Sequence, residues 1–244
     1  ICIMYQIIKI ILHKISRVVF KTSNILNYLF PTEFKTTSLE LALEKNLQDE
    51  TIQTFSKYFK KSLLFTSLED IRKHVAQVAL LNDTNKEYYN LEFGTWKGES
   101  SNFFSKYLKK LYTFDSFEGL SEDWKGTYFS RGHFNLNKKI PKLNSNVEPI
   151  VGWVDDTLEG FLKKHNPKIN FVHLDLDTYT PTKYVLEKLK PYLVKGSIIL
   201  FDELYGHMGW KEGEYKSLNE VFKEEDYEYN AFNLRGCQVA IRIK

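Results

Sequence analysis

The sequence predicts an α/β fold: a doubly wound, mostly parallel seven-stranded sheet with an antiparallel C-terminal hairpin, preceded by an N-terminal helical extension. Three observations lead there. From about residue 66, short apolar runs alternate with amphipathic segments, the pattern of a parallel sheet covered on both faces. The last two apolar stretches alternate with period two around a turn. The suggestive acids and glycines sit at the ends of the runs, the edge at which open α/β sheets bind ligands.

Taken in order, residues 1–64 form the extension and 65–244 the α/β domain. In "ICIMYQIIKIILHKISRVVF", Met4, Ile7, Ile8, Ile11, Ile15, Val18 and Val19 fall at helical spacing, with Lys9, His13 and Arg17 on the other side. Lys9, His13 and Lys14 interrupt the apolar run, so no span reaches the ~18 residues of a transmembrane helix. No small-residue cleavage site follows, which argues against a secretory signal. Residues 1–20 then read either as a helix packing on its own domain or a sister subunit, or as a basic helix on the membrane surface. Thr66 and Glu69 make a capping box before Leu68, Ile71, Val75, Val78 and Ala79. Strands follow at 88–94, 111–115, 147–153, in "INFVHLDL" and at 196–202. Helices are expected at "SSNFFSKYLKKL", after Asp156, and after Thr180 with Pro181 at its first position. "YEYNAF" and "CQVAIRI" flank Arg235-Gly236 as the hairpin.

The 244 residues, 43% hydrophobic and 27% charged, are ordinary for one globular domain with an appendage. A net charge of +3 is too small to argue for nucleic acid. Cys2 and Cys237 form neither a metal cluster nor a disulfide framework, which suits a cytoplasmic setting, peripheral to the membrane's inner face if residues 1–20 lie on lipid.

The first strand ends in "LEFGTWKGES", with Glu92, Gly94, Thr95 and Gly98. A dinucleotide site would carry G-x-G-x-x-G. That spacing is absent, and Glu92 would repel a pyrophosphate. A cationic, phosphate-free cofactor such as S-adenosylmethionine fits better, because an acid balances its ammonium and sulfonium; an ordinary strand–helix turn is the alternative. "FDSFEGL" ends the second strand with Asp115 and Ser116, suited to ribose hydroxyls or to a helix cap. In "VGWVDDTL", Gly152 and Trp153 suit an adenine face and Asp155 its exocyclic amine, while Trp153 is equally a core residue.

These segments, with "VHLDLDTYTPTKYVLEKLKPYLVKGSIILFDEL" and "GWKEGEYKSLNEVF", resemble the macrocin-type O-methyltransferases. That is a class I, Rossmann-like family whose members depend on S-adenosylmethionine and a metal. The likeness runs from about residue 65 to 244. It implies that Asp175, Asp202 and Glu203 bind one divalent ion, with Asp-Glu standing where many relatives have Asp-Asp. Neighbouring fourth and fifth strands would bring these acids together, and carboxylates without cysteine suit Mg²⁺. Asp177, on the opposite strand face, is assigned to local structure.

The resemblance also implies methyl transfer to a hydroxyl of a sugar or glycosylated small molecule. Asp175 is the first candidate for the base and His207 the second, a surface loop histidine being the alternative. The connection 119–146 is long, and reads either as a lid whose Trp124, Lys125, Arg131 and His133 would cover a polar or anionic acceptor, or as a solvated loop with ordinary charges. Two rivals stand beside this reading: an NAD-dependent oxidoreductase, which would need the missing phosphate glycines, and a non-catalytic adenosyl-binding protein, which would lack the acids.

Overall fold

The computed structural model describes residues 38–85 and 87–244, so the expectations for residues 1–20 lie outside the described residues. Among those described, no helix is long and apolar enough to cross a membrane. Helix α1 (Ser38–Phe59) leads into strand β1 (Leu63–Phe65), helix α2 (Leu68–Asn82), β2 (Tyr89–Phe93) and a short α3 (Glu99–Phe104). Then come β3 (Leu111–Asp115), β4 (Val147–Val151), α4 (Val154–His165), β5 (Ile169–Leu174) and α5 (Tyr179–Leu189). The chain ends with β6 (Leu193–Phe201), α6 (Glu214–Val221), β7 (Tyr227–Asn233) and β8 (Val239–Ile243).

All strands join one sheet in the order β1-β7-β8-β6-β5-β2-β3-β4. The seven expected strands are present. An eighth, β1, adds in parallel to β7 at the edge. Among the described strands only β8 runs antiparallel to its neighbours, β6 and β7. Every residue of β5 is buried, as a central parallel strand covered on both faces requires. Residues 47–244 form one compact unit, and the expected boundary at residue 64 falls inside it. The second half of α1 belongs to that unit, since Phe55 is fully buried among the rings of Tyr205, Trp210, Tyr229 and Phe232.

Four local expectations are corrected. Ser67, not Thr66, caps α2, its hydroxyl accepting from the Asp70 amide at 3.3 Å. Helix α4 starts two residues before Asp156, with Trp153 at the cap, leaving Asp155 and Asp156 in the first turn, where carboxylates favour the helix dipole. Thr178 occupies the cap position of α5, while the Thr180 amide and hydroxyl donate to Glu122 of the 119–146 segment at 2.9 and 2.8 Å. Helix α3 stops at Phe104 because the next carbonyls are taken from outside: Asn146 Nδ2 donates to Ser105 O at 2.8 Å and Leu108 O at 3.0 Å.

The 119–146 connection is fastened near its start, at Glu122 and Gly126. Gly126 packs so closely on the loop after β6 that a Cβ there would lie 2.1 Å from the Met208 carbonyl oxygen. Together with the Glu122–Thr180 bonds, this holds the segment over the C-terminal edge of the sheet.

Candidate functional site

At that edge lies a cavity of about 480 Å³, within the ~300–1,000 Å³ range of small-molecule sites. Its floor follows the strand ends in order. Gly152 and Trp153 lie beyond β4, Asp115 and Ser116 at β3, Gly94 and Thr95 at β2, and Asp175 with Asp177 beyond β5. Glu203, beyond β6, completes the row.

Asp115 organises two of these turns. Its Oδ2 accepts from the amides of Thr95 and Trp96 at 2.8 and 2.7 Å, and its Oδ1 from the Phe117 amide at 2.7 Å. Trp96 and Phe117 have φ of 41° and 56°, a left-handed conformation that costs a bulky residue energy. A charged acceptor for three amides offsets that cost. Gly94 has φ 90°, and a Cβ there would lie 1.8 Å from the Asp175 carbonyl oxygen. Any side chain at 94 would therefore force β2 and the Asp175 turn apart.

Eight sequence candidates do not line the cavity: Glu92, Gly98, Lys125, Arg131, His133, Asp155, Asp202 and His207. Gly98 is the left-handed N-cap of α3, and a Cβ on it would meet Leu143. Asp155 is exposed in the first turn of α4. His207, expected as a base, turns Nδ1 to the Met208 carbonyl at 2.8 Å and Nε2 to the Glu203 carbonyl at 3.1 Å. It braces its own loop.

Glu92 is fully buried behind the floor rather than facing a ligand. It accepts from the Ser101 hydroxyl, from Thr113 Oγ1 at 2.9 Å, and pairs with His173 Nδ1 at 3.0 Å. His173 Nε2 in turn meets Asp202 Oδ1 at 3.3 Å. Burial alone would depress the His173 pKa, but its hydrogen bonds to the accepting carboxylates of Asp202 and Glu92 outweigh it and push it up to about 9. Burial would raise Asp202, yet the hydrogen bond and charge of His173, then Arg72, hold it well below the carboxylate range. Its Oδ2 also accepts from Gln238 Nε2 at 3.1 Å. Asp202 is thus committed to an alternating buried chain, Glu92–His173–Asp202–Arg72.

This chain carries a pH prediction. A histidine raised to about 9 when folded from an ordinary 6.5 stabilises fully below 6.5, and that contribution is lost as pH rises through 9. The loss is on the order of 3 kcal/mol. In EDTA, the denaturation midpoint of the wild type should fall across this window. The His173→Gln variant should show a flatter profile there, and an unchanged slope in the variant would exclude the assignment.

The acids that do face the cavity are Asp175, Asp177 and Glu203, whose carboxylate oxygens all lie within 4.8 Å of one another. Asp202 and His173 form a second such group with Asp175. The assignment of Asp177 to local structure is corrected. Strand β5 ends at Leu174, so period-two alternation no longer applies, and a left-handed φ of 62° turns Asp177 into the cavity. Burial, with the charges of Asp202 and Asp115, pushes its pKa up to about 7. Burial and the charges of Asp202 and Asp177 raise Asp175 too, and burial beside Asp202 and Asp175 raises Glu203. Glu203 Oε2 is buried without a partner among the described residues. So is Oε1 of Glu214, whose other oxygen accepts the Glu203 amide at 2.9 Å. Unpaired buried acids of this kind are neutralised by a proton or by a cation. Oxygen donors without thiolates match a hard divalent ion, so the residues fit Mg²⁺.

Sequence reading missed His173, Arg72 and Glu214. A histidine inside an otherwise apolar strand was the available signal, since such a group must find partners. Nothing local marked Arg72 or Glu214.

Comparison with known proteins gives a consistent picture. Residues 91–204 match the model of a methyltransferase domain. That segment runs from β2 to just beyond β6 and carries the cavity floor. The chain is similar to the crystal structure of CalS11, a calicheamicin methyltransferase, at 21% identity and a TM-score of 0.60, covering 84% of this chain and 93% of that one. An apo structure of CalS11, described as a TDP-rhamnose 3′-O-methyltransferase of calicheamicin biosynthesis, aligns with TM-score 0.51 at 20% identity, over 84% and 95% of the two chains. The O-methyltransferase NovP aligns with TM-score 0.56 at 16% identity, over 72% of this chain and 79% of its own. These likenesses establish a Rossmann-like methyltransferase fold. No curated protein sequence matches the chain significantly.

Proposed function

We propose that this protein is an S-adenosylmethionine- and Mg²⁺-dependent O-methyltransferase acting on a hydroxyl of a sugar or a glycosylated small molecule. The observation that carries the reading is the continuity of one cavity. It runs from the turns at Gly94, Asp115 and Trp153 to the carboxylates Asp175, Asp177 and Glu203. The methyltransferase-domain match supports the class of reaction, and the sugar acceptor named for CalS11 supports the class of acceptor.

In this account Trp153 offers its face to the adenine, Asp115 its remaining lone pairs to the ribose, and the Gly94 turn its backbone to the methionine. Asp175, common to both acid groupings, and Glu203 hold the divalent ion. When bound, that ion lowers the pKa of the acceptor hydroxyl and orients it. Asp177, turned into the cavity beside Asp175, takes the hydroxyl proton as the oxygen attacks the sulfonium methyl in line and S-adenosylhomocysteine leaves. Asp202 backs Asp175 from within its own chain of partners. Aromatic rings of the 119–146 segment, Trp124 and Phe129, stack at 5.5 Å and line the cavity.

Calorimetry with S-adenosylmethionine and with NAD, each with and without Mg²⁺, tests the reading. Binding of the first and not the second is expected. Tighter binding of NAD would instead favour the oxidoreductase.

A further inference from the structure

Arg72 of α2 lies on the cavity wall with its side chain only 15% exposed. One guanidinium nitrogen, Nη2, donates to Asp202 Oδ1 at 3.3 Å. Its Nε is buried with no partner among the described residues. A guanidinium carries five N–H donors in a planar fork that matches a carboxylate, so a buried Nε without an acceptor is an incomplete arrangement. Asp202 does not require Arg72 for its own satisfaction, since His173 and Gln238 already donate to it.

Sheet order says what would arrive there. Along the edge the strands run β4, β3, β2, β5, β6. Asp115 ends β3 and Asp202 follows β6, three strand spacings away, or roughly 14 Å at about 4.8 Å per step. An adenosyl group seated on Trp153 and Asp115 points its amino-acid tail across β2 toward Arg72. That tail carries the cofactor's one carboxylate. Left among Asp175, Asp177 and Glu203 without a cation, it would be repelled.

Resting on the cofactor reading above, we propose that Arg72, on the cavity wall, binds the methionine carboxylate of S-adenosylmethionine through its guanidinium. It thereby fixes the tail so that the methyl group points at the acidic end of the cavity.

The test compares two probes on wild type and Arg72→Gln by calorimetry. S-adenosylhomocysteine has the carboxylate; 5′-methylthioadenosine keeps the adenosyl and thioether parts but lacks the amino-acid tail. Arg72→Gln should weaken S-adenosylhomocysteine by about tenfold or more, as loss of a charge-assisted pair does. It should leave 5′-methylthioadenosine within about twofold of wild type, which also shows that the variant is folded. Unchanged S-adenosylhomocysteine affinity would overturn the assignment. So would equal weakening of both probes, which marks a structural role. A wild type that binds S-adenosylhomocysteine no better than 5′-methylthioadenosine overturns the assignment alone, whereas one that binds neither removes the cofactor reading and the assignment with it.

Discussion

Replacing Asp177 with Asn is expected to cut methyl transfer by about 10²- to 10⁴-fold, the usual contribution of a positioned base, while S-adenosylhomocysteine affinity changes little. Asn is isosteric with Asp and equally at ease in the left-handed region, so the φ of 62° at this position is kept. What disappears is the group that accepts the proton. Burial and neighbouring acids raise the Asp177 pKa in the metal-free protein and a bound cation lowers it again, so the wild-type rate should rise with pH as the carboxyl ionises, and the variant should lose that limb. A kcat/KM profile for both proteins checks it. An Asp177→Asn enzyme with near-normal turnover would return the proton to Asp175.

Asp115→Ala should abolish measurable cofactor binding, with S-adenosylhomocysteine affinity falling by about 10²-fold or more. Three backbone amides, of Thr95, Trp96 and Phe117, converge on this one carboxylate. Hydrogen bonds to a charged group contribute about 1.5–3 kcal/mol each. Two of the three residues sit in the costly left-handed region and would relax once the acceptor is gone. The turns that shape the cavity floor at β2 and β3 would then lose their geometry together. Calorimetry reads the loss, and thermal unfolding should show a Tm several degrees lower. Full affinity in Asp115→Ala would mean that the turns hold themselves and that the ligand lies elsewhere.

Much of this architecture was legible in the sequence because burial writes it there. The unbroken apolar run of β5 marked a central parallel strand, and an acid at its end, Asp175, marked the functional edge. The turns were read less well. Ser67 and Thr66 are equivalent as caps in sequence, and only the extended backbone at Ser67 decides between them. The brevity of α3 depends on Asn146, about forty residues downstream, taking the carbonyls that follow it. Glu92 was read as facing the ligand because cross-strand register is not local information. In the sheet Glu92 lies opposite His173, and the pair closes on itself in the interior. Asp177 was misplaced for a related reason: alternation along a strand says nothing once the strand has ended.

The central claim is that the carboxylates beyond β5 and β6 hold one divalent cation beside the cofactor. Titration with Mn²⁺ as a spectroscopic substitute, followed by electron paramagnetic resonance in the presence of S-adenosylhomocysteine, tests it without knowledge of the acceptor. The account predicts a single site in the wild type, its loss in Asp175→Asn, and its retention in Asp177→Asn despite the loss of turnover. A wild type that binds no Mn²⁺, or an Asp175→Asn variant that binds it as tightly as wild type, would contradict the claim.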